Sequence, residues 1–199
     1  MPNGLLSLVL RGLIGFAIGV LLWTSLREPY HALLASMARP MLRQVDTAVT
    51  WVRPVGEKIV TDRSDLPAGQ NVKIDARLFT FNTILLFTLF ATNPRPLSRR
   101  NLGWLLFSML ILTLTHAIAV VAGTESVFSR SFGEWSDTHY SALATDVSLI
   151  IAQGYMLVGG YAVAFGLWWA TRSAPELPRT TRPEAASATR ASRGSGRGR

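Results

Sequence analysis

The chain has 199 residues, 49% of them hydrophobic, a mean hydropathy of +0.27, a net charge of +8 and no cysteine. Only 16% of the residues are charged, against roughly 25% in an ordinary soluble domain, which places the chain with membrane proteins. The missing cysteine excludes disulfides, thiolate metal sites, iron–sulfur ligation and cysteine nucleophiles. The basic excess lies beside apolar runs without interleaved aromatics, which argues against nucleic acid as a partner.

The first apolar segment runs from about residue 5 to residue 26 and is interrupted by Arg11. A helix of about 20 residues crosses the hydrocarbon, and this one does so if Arg11 extends its head to the interface. The run ends in "LLWTSLREPYH" without a small-x-small cleavage site, so it is expected to stay in the chain. It carries Gly15-x-x-x-Gly19, with Gly12 nearby. Small residues at that spacing let helix backbones approach closely, for packing within this chain or against a partner.

Residues 27–77 form a long connection of nearly balanced charge. In "HALLASMARPMLRQVDTAVTWV", residues Leu33, Leu34, Met37, Met41, Val45 and Val49 fall on one helical face, with Pro40 placed to bend or divide it. The spacing predicts an amphipathic surface helix. "VGEKIVTD" and "NVKIDARLFTF" then alternate in the manner of strands, with Val72, Ile74 and Ala76 opposite Lys73, Asp75 and Arg77. "RSDLPAGQ" supplies turn residues between them, so a β-hairpin is expected.

The second apolar segment, about 78–92, is short. It can span only by local thinning of the bilayer or by packing among other helices. A turn follows with Arg95, Arg99 and Arg100 and no acid. The third segment, 102–123, and the fourth, 147–170, have no formal charge. The loop between them is acidic, and the chain ends in an Arg-, Pro- and Ser-rich stretch from about residue 173 that has little to bury. The positive-inside rule then puts both termini and the Arg-rich turn in the cytoplasm, with Arg172 as a further anchor. Trp23, Tyr30, Trp104, Trp168 and Trp169 fall where an aromatic belt is expected.

The expected fold is therefore an all-α membrane protein. It has four transmembrane helices (about 5–26, 78–92, 102–123 and 147–170), an extracytoplasmic amphipathic helix plus β-hairpin within 27–77, and a disordered basic cytoplasmic tail over 173–199.

Three polar residues lie inside apolar segments: Asn82, His116 and Gln153. Buried polarity in lipid is costly and often functional. A lone histidine without a ligand partner is expected to bond between helices rather than to relay protons or hold a metal, and Asn82 and Gln153 can bond across helices similarly. A small transporter or channel is the rival, and it requires these three to line one path. Asp137-x-His139 matches no metal signature. No phosphate loop, nucleophile elbow or nucleophile–base pair is recognisable, so no catalytic residue and no cofactor are expected.

The layout resembles that of the exosortase H-associated membrane proteins of bacteria. It is carried by a first span ending in Trp, the amphipathic stretch and strand pair, "FNTILLFTLFATNPRPLSRRNLGW", and a last span opening on "AQGYML" and closing on "LWWA". The likeness covers roughly residues 10–171. It implies a bacterial inner-membrane protein whose partner is an exosortase, a cysteine-dependent membrane enzyme that processes C-terminal sorting signals. A chain without cysteine is then the accessory partner and not the enzyme.

The charge pattern places the Arg-rich turn and the acidic loop on opposite sides of the membrane. Reporter fusions at Ser98 and Ser136 are expected to give opposite compartment signals; matching signals would rule out this hairpin arrangement.

Overall fold

The computed structural model describes residues 2–67 and 69–173. The basic tail expected from residue 173 lies outside the described residues from 174 onward.

Helix α1 (Pro2–Val45) is 44 residues long, about 66 Å at 1.5 Å per residue, roughly twice the hydrocarbon thickness. It joins the first apolar segment and the expected amphipathic stretch into one rod. This corrects the expectation of a separate helix: Pro29 and Pro40 both lie inside α1. Each proline omits one ladder bond, but the helix is held from the side. Leu34, Ala35, Ala38 and Leu42 recur at helical spacing and are fully or almost fully buried. The buried face is rotated from the expected one, leaving Leu33 and Val45 exposed. Val49 belongs to the next strand.

Strands β1 (Val49–Val55), β2 (Lys58–Arg63) and β3 (Val72–Asp75) form an antiparallel sheet in that order. The β2–β3 pair is the expected hairpin, with Ile59 opposite Ile74 and Thr61 opposite Val72. β1 was not anticipated. It pairs with β2 through a two-residue turn, Gly56–Glu57, with Gly56 at φ 60°. Glycine at the first central position with positive φ suits a tight hairpin turn. Val49, Val52, Ile59, Val72 and Ile74 bury one face of the sheet against α1 and the fourth helix.

The second apolar segment is α2 (Arg77–Thr80) followed by α3 (Asn82–Ala91). α3 has 10 residues, about 15 Å, half of the hydrocarbon core. Among the described residues, three helices are long and apolar enough to cross a membrane, and this one is shorter. The four expected spans are thus three long helices and one short one. α3 packs against α1 and against the helices Arg99–Phe128 and Gly160–Ser173.

Helix α4 (Arg99–Phe128) starts at a Ser98 cap whose hydroxyl accepts from the Asn101 amide at 3.3 Å. One face is buried, including Leu112, His116, Ala119, Val120 and Gly123. Leu106, Leu110, Leu114 and Ile118, at intervals of four, are exposed on another. A short α5 (Glu134–His139) leads to α6 (Ala142–Gly154), capped by Ser141. A π segment, Tyr155–Gly159, joins α6 to α7 (Gly160–Ser173).

The two ends of the molecule differ in chemistry. At the turn end, Arg11 donates to the carbonyls of Asn93 and Pro94 at 3.4 Å. Trp168 donates to Asn93 Oδ1 at 3.2 Å, and Arg172 lies over the Trp168 ring at 5.2 Å. The start of α1, the turn holding Arg95, Arg99 and Arg100, and the end of α7 therefore share one end.

At the sheet end, the buried Arg63 is the hub. It pairs with Asp46 and, at 2.9 Å, with Asp65, donates to the Tyr140 hydroxyl at 2.8 Å, and lies over Trp135 at 4.6 Å. Tyr140 in turn donates to Glu125 Oε2 at 2.9 Å. Burial and the neighbouring Glu125 push the Tyr140 phenol above its ordinary range. The hydrogen bond from Arg63 holds the Asp65 carboxyl below its ordinary value. That contribution is whole above the unfolded aspartate range near about 3.9 and is lost as pH falls through the lowered folded value.

Gly15 and Gly19 face α3. A Cβ on Gly15 would collide with Ala91 Cβ and lie 3.1 Å from the Phe87 carbonyl oxygen; one on Gly19 would lie 3.2 Å from Phe87 Cβ. Gly103 has nothing within 4 Å. Gly15→Ala is expected to destabilise the protein by about 1–3 kcal/mol through overpacking. Gly103→Ala is expected to be neutral or stabilising by about 0.5–1 kcal/mol. Thermal unfolding in detergent measures both, and equal melting would contradict the close α1–α3 approach.

Candidate functional site

Polar groups from four elements meet in a single cluster whose Tyr30 and Tyr155 pack against the sheet-side core; a smaller turn-side core is made of Leu86, Phe90, Leu112, Ala164 and Trp168. α1 brings Tyr30, α3 brings Asn82, α4 brings His116, and the π segment brings Tyr155.

His116 is fully buried. Its Nε2 lies 2.6 Å from Asn82 Oδ1, and its Nδ1 lies 2.6 Å from the Tyr30 hydroxyl. The Asn82 carbonyl oxygen needs a donor, so Nε2 carries the proton and Nδ1 accepts from Tyr30. Imidazole is then neutral, with both nitrogens satisfied. Thr113 donates to the Met109 carbonyl at 2.7 Å and lies 3.2 Å from the Tyr30 oxygen. Thr115 donates to the Leu112 carbonyl, leaving its oxygen to accept from Tyr155 at 3.0 Å.

The rings reinforce this arrangement. Tyr30 and Tyr155 both meet the His116 ring edge-to-face, with centroids 5.9 and 6.0 Å away, a favourable geometry for aromatic pairs. Gly160 makes room for Asn82: a Cβ there would collide with Asn82 Nδ2. A Cβ on the adjacent Gly159 would lie 3.3 Å from the Tyr155 ring. Tyr155 opens the π segment, a widened turn often found where a helix serves a special local packing need.

Of the three polar residues singled out from the sequence, Asn82 and His116 are therefore in direct contact. Gln153 is not with them; it is exposed on α6. The two tyrosine hydroxyls were missed. Tyr30 read as a belt aromatic, and Tyr155 sat unremarked in "AQGYML". The Gly159–Gly160 pair beside Tyr155 was the available signal.

Chemically the cluster is closed. A histidine moves protons only between groups that can release them, and the Asn82 amide is a dead end. Neither a serine hydroxyl nor a carboxylate reaches His116 among the described contacts, so no nucleophile–base pair forms there.

On the sheet side, Asp137 lines an open cleft of about 480 Å³ with Arg130, Tyr140 and Asp146. His139 stacks on Trp135 at 4.5 Å, and its Nε2 is 3.6 Å from Asp65. Among the described residues no group of three or more His, Asp or Glu comes together to hold a metal ion.

No protein-family model matches the chain, and no curated protein or solved structure is significantly similar to it.

Removing the Tyr30 hydroxyl leaves His116 Nδ1 buried without a donor. Tyr30→Phe is expected to cost about 1–3 kcal/mol. Tyr155→Phe leaves Thr115 still bonded to a backbone carbonyl and is expected to cost under about 1 kcal/mol. Unfolding in detergent compares the two, and the reverse order would overturn the central place of the Tyr30–His116 hydrogen bond.

Proposed function

We propose that this chain is a non-catalytic integral membrane accessory protein of a bacterial protein-sorting or envelope-biogenesis system, with an exosortase-type membrane enzyme as its partner. The observation that carries the non-catalytic part is the closure of the cluster around His116. Polar groups from α1, α3, α4 and the π segment bond to one another, which is how a lipid-embedded scaffold fixes its helices. The partner class rests on the layout and the quoted segments that resemble the exosortase H-associated proteins.

Further support comes from the distribution of apolar surface. α1 and α6–α7 are mostly exposed along their apolar runs. In a bilayer such faces meet lipid or the helices of another membrane protein. The sheet unit, braced by Arg63, is a rigid feature that a partner could meet beyond the apolar layer. With the turn end cytoplasmic, that unit lies outside the inner membrane, on the side where exported proteins arrive.

The channel reading draws less support. It needs Asn82, His116 and Gln153 along one path, whereas the first two bond directly and Gln153 faces elsewhere.

Gentle detergent extraction with an affinity tag after Arg199 tests the proposal. A cysteine-dependent membrane sortase is expected to co-purify in near-stoichiometric amount. Recovery of the chain alone, after cross-linking in the membrane before extraction, would overturn the accessory reading.

A further inference from the structure

Glu125 lies beyond the apolar segment that ends at residue 123, on the sheet side of α4. It is only 8% exposed. Its Oε2 accepts from the Tyr140 hydroxyl at 2.9 Å, while its Oε1 is buried with no hydrogen-bond partner among the described residues. A carboxylate so placed has lost water from one oxygen without gaining a donor for it.

The charges around Glu125 do not offset that loss. Arg63 from β2 is already engaged by Asp46, which follows α1, and by Asp65, which follows β2. Three carboxylates therefore share one guanidinium. His139 Nε2 lies 3.6 Å from Asp65, on the far side of the hub. Arg130 donates Nε to the Ser126 carbonyl at 3.1 Å and lines the open cleft together with Asp137 and Asp146. Glu134 is exposed on α5. Burial, with Asp46 adding to it, raises the Glu125 carboxyl above its ordinary range against the pull of Tyr140 and Arg63.

Glu125 meets the connection of residues 129–141 between α4 and α6. Ser136 pins it, donating to the Phe128 carbonyl at 2.7 Å and accepting from the Phe132 amide at 3.1 Å. Tyr140 is the second pin. Trp135 Nε1, in the same connection, is also buried without an acceptor among the described residues. Tyr140 lines the 480 Å³ cleft and bonds Glu125 through its hydroxyl. Displacing this one side chain brings water from the cleft toward the orphaned oxygen.

We propose that Glu125 is a proton-operated catch for the 129–141 connection: the neutral carboxyl keeps Tyr140 and the connection closed, and the charged carboxylate favours opening toward the cleft, where Oε1 is hydrated. The closed state binds the proton more tightly than the open one. Its extra stability is whole below the ordinary glutamate value near about 4.3 and is lost as pH rises through the raised value. Asp65 acts in the opposite sense, and only at lower pH, because its carboxyl is held down. The catch stands whether or not the chain has a sortase partner.

Hydrogen exchange of the full chain in detergent tests it, read by mass spectrometry at about pH 5 and about pH 8 and corrected for intrinsic amide rates. Peptides covering 129–141 are expected to be about 3–10-fold more protected at the lower pH. Glu125→Gln, neutral throughout, is expected to show the higher protection at both. His139→Gln is expected to keep the response, since His139 faces Asp65. Protection that does not change with pH in the unsubstituted protein would overturn the proposal. So would a response that survives Glu125→Gln or disappears with His139→Gln. Should Glu125→Gln fail to fold, Glu125→Met, apolar and of similar size, takes its place with the same expectation. Failure of both neutral variants to fold would also overturn it, because a neutral side chain must close the catch more firmly than a charged one.

Discussion

A polar side chain inside a bilayer cannot be left to water. It must find a partner within the protein or be excluded from the hydrocarbon. In this protein that requirement converges on His116, which presents two ring nitrogens and is fully buried. Satisfying both takes a donor from one side and an acceptor from the other. Tyr30 and Asn82 meet those needs from two different helices, and Tyr155 closes the remaining flank. Registration of α1, α3, α4 and the π segment therefore depends on one imidazole. Apolar packing alone does not fix helix rotation in lipid, because hydrocarbon tails are as apolar as leucine. A directional bond at 2.6 Å does.

The glycines complete what the polar cluster begins. α3 is too short to be held by the bilayer at both ends. It is held instead by close approach of α1 at Gly15 and Gly19 and of α7 at Gly160. At Gly160 the space saved by the missing side chain receives the Asn82 amide, so backbone proximity and hydrogen bonding share one contact. The same economy operates beyond the apolar layer. Arg63 ties the end of α1, the β2–β3 loop and the α5–α6 connection through Asp46, Asp65 and Tyr140. A buried guanidinium is costly unless its donors are engaged, so its partners are confined to one arrangement. The long helix α1 carries Tyr30 of one centre and is followed directly by Asp46 of the other.

Among the described residues, His116, Asn82, Arg63 and Tyr140 are engaged with neighbouring side chains, and the apolar runs of α1 and α6–α7 are mostly exposed. The two ends have opposed characters. Arginines, Trp168 and backbone carbonyls gather at one end; a sheet, an ion-pair hub and an acidic loop gather at the other.

The sequence by itself determined the membrane-like composition, the positions of the apolar segments, the segregation of arginine, the alternation of Val72 and Ile74 in a strand, and the choice of Asn82 and His116 as the costly polar residues. Each of these follows from local spacing or from the cost of burying a polar group in an apolar surrounding. Tertiary structure alone decided that α1 runs through Pro29 and Pro40, because its buried stripe of Leu34, Ala35, Ala38 and Leu42 packs into the sheet-side core. It decided that Val49 starts a strand, because a partner in β2 outweighed helical periodicity. It decided that Tyr30 and Tyr155 join His116 while Gln153 does not, because which side of a helix faces its neighbours depends on how the helices are rotated.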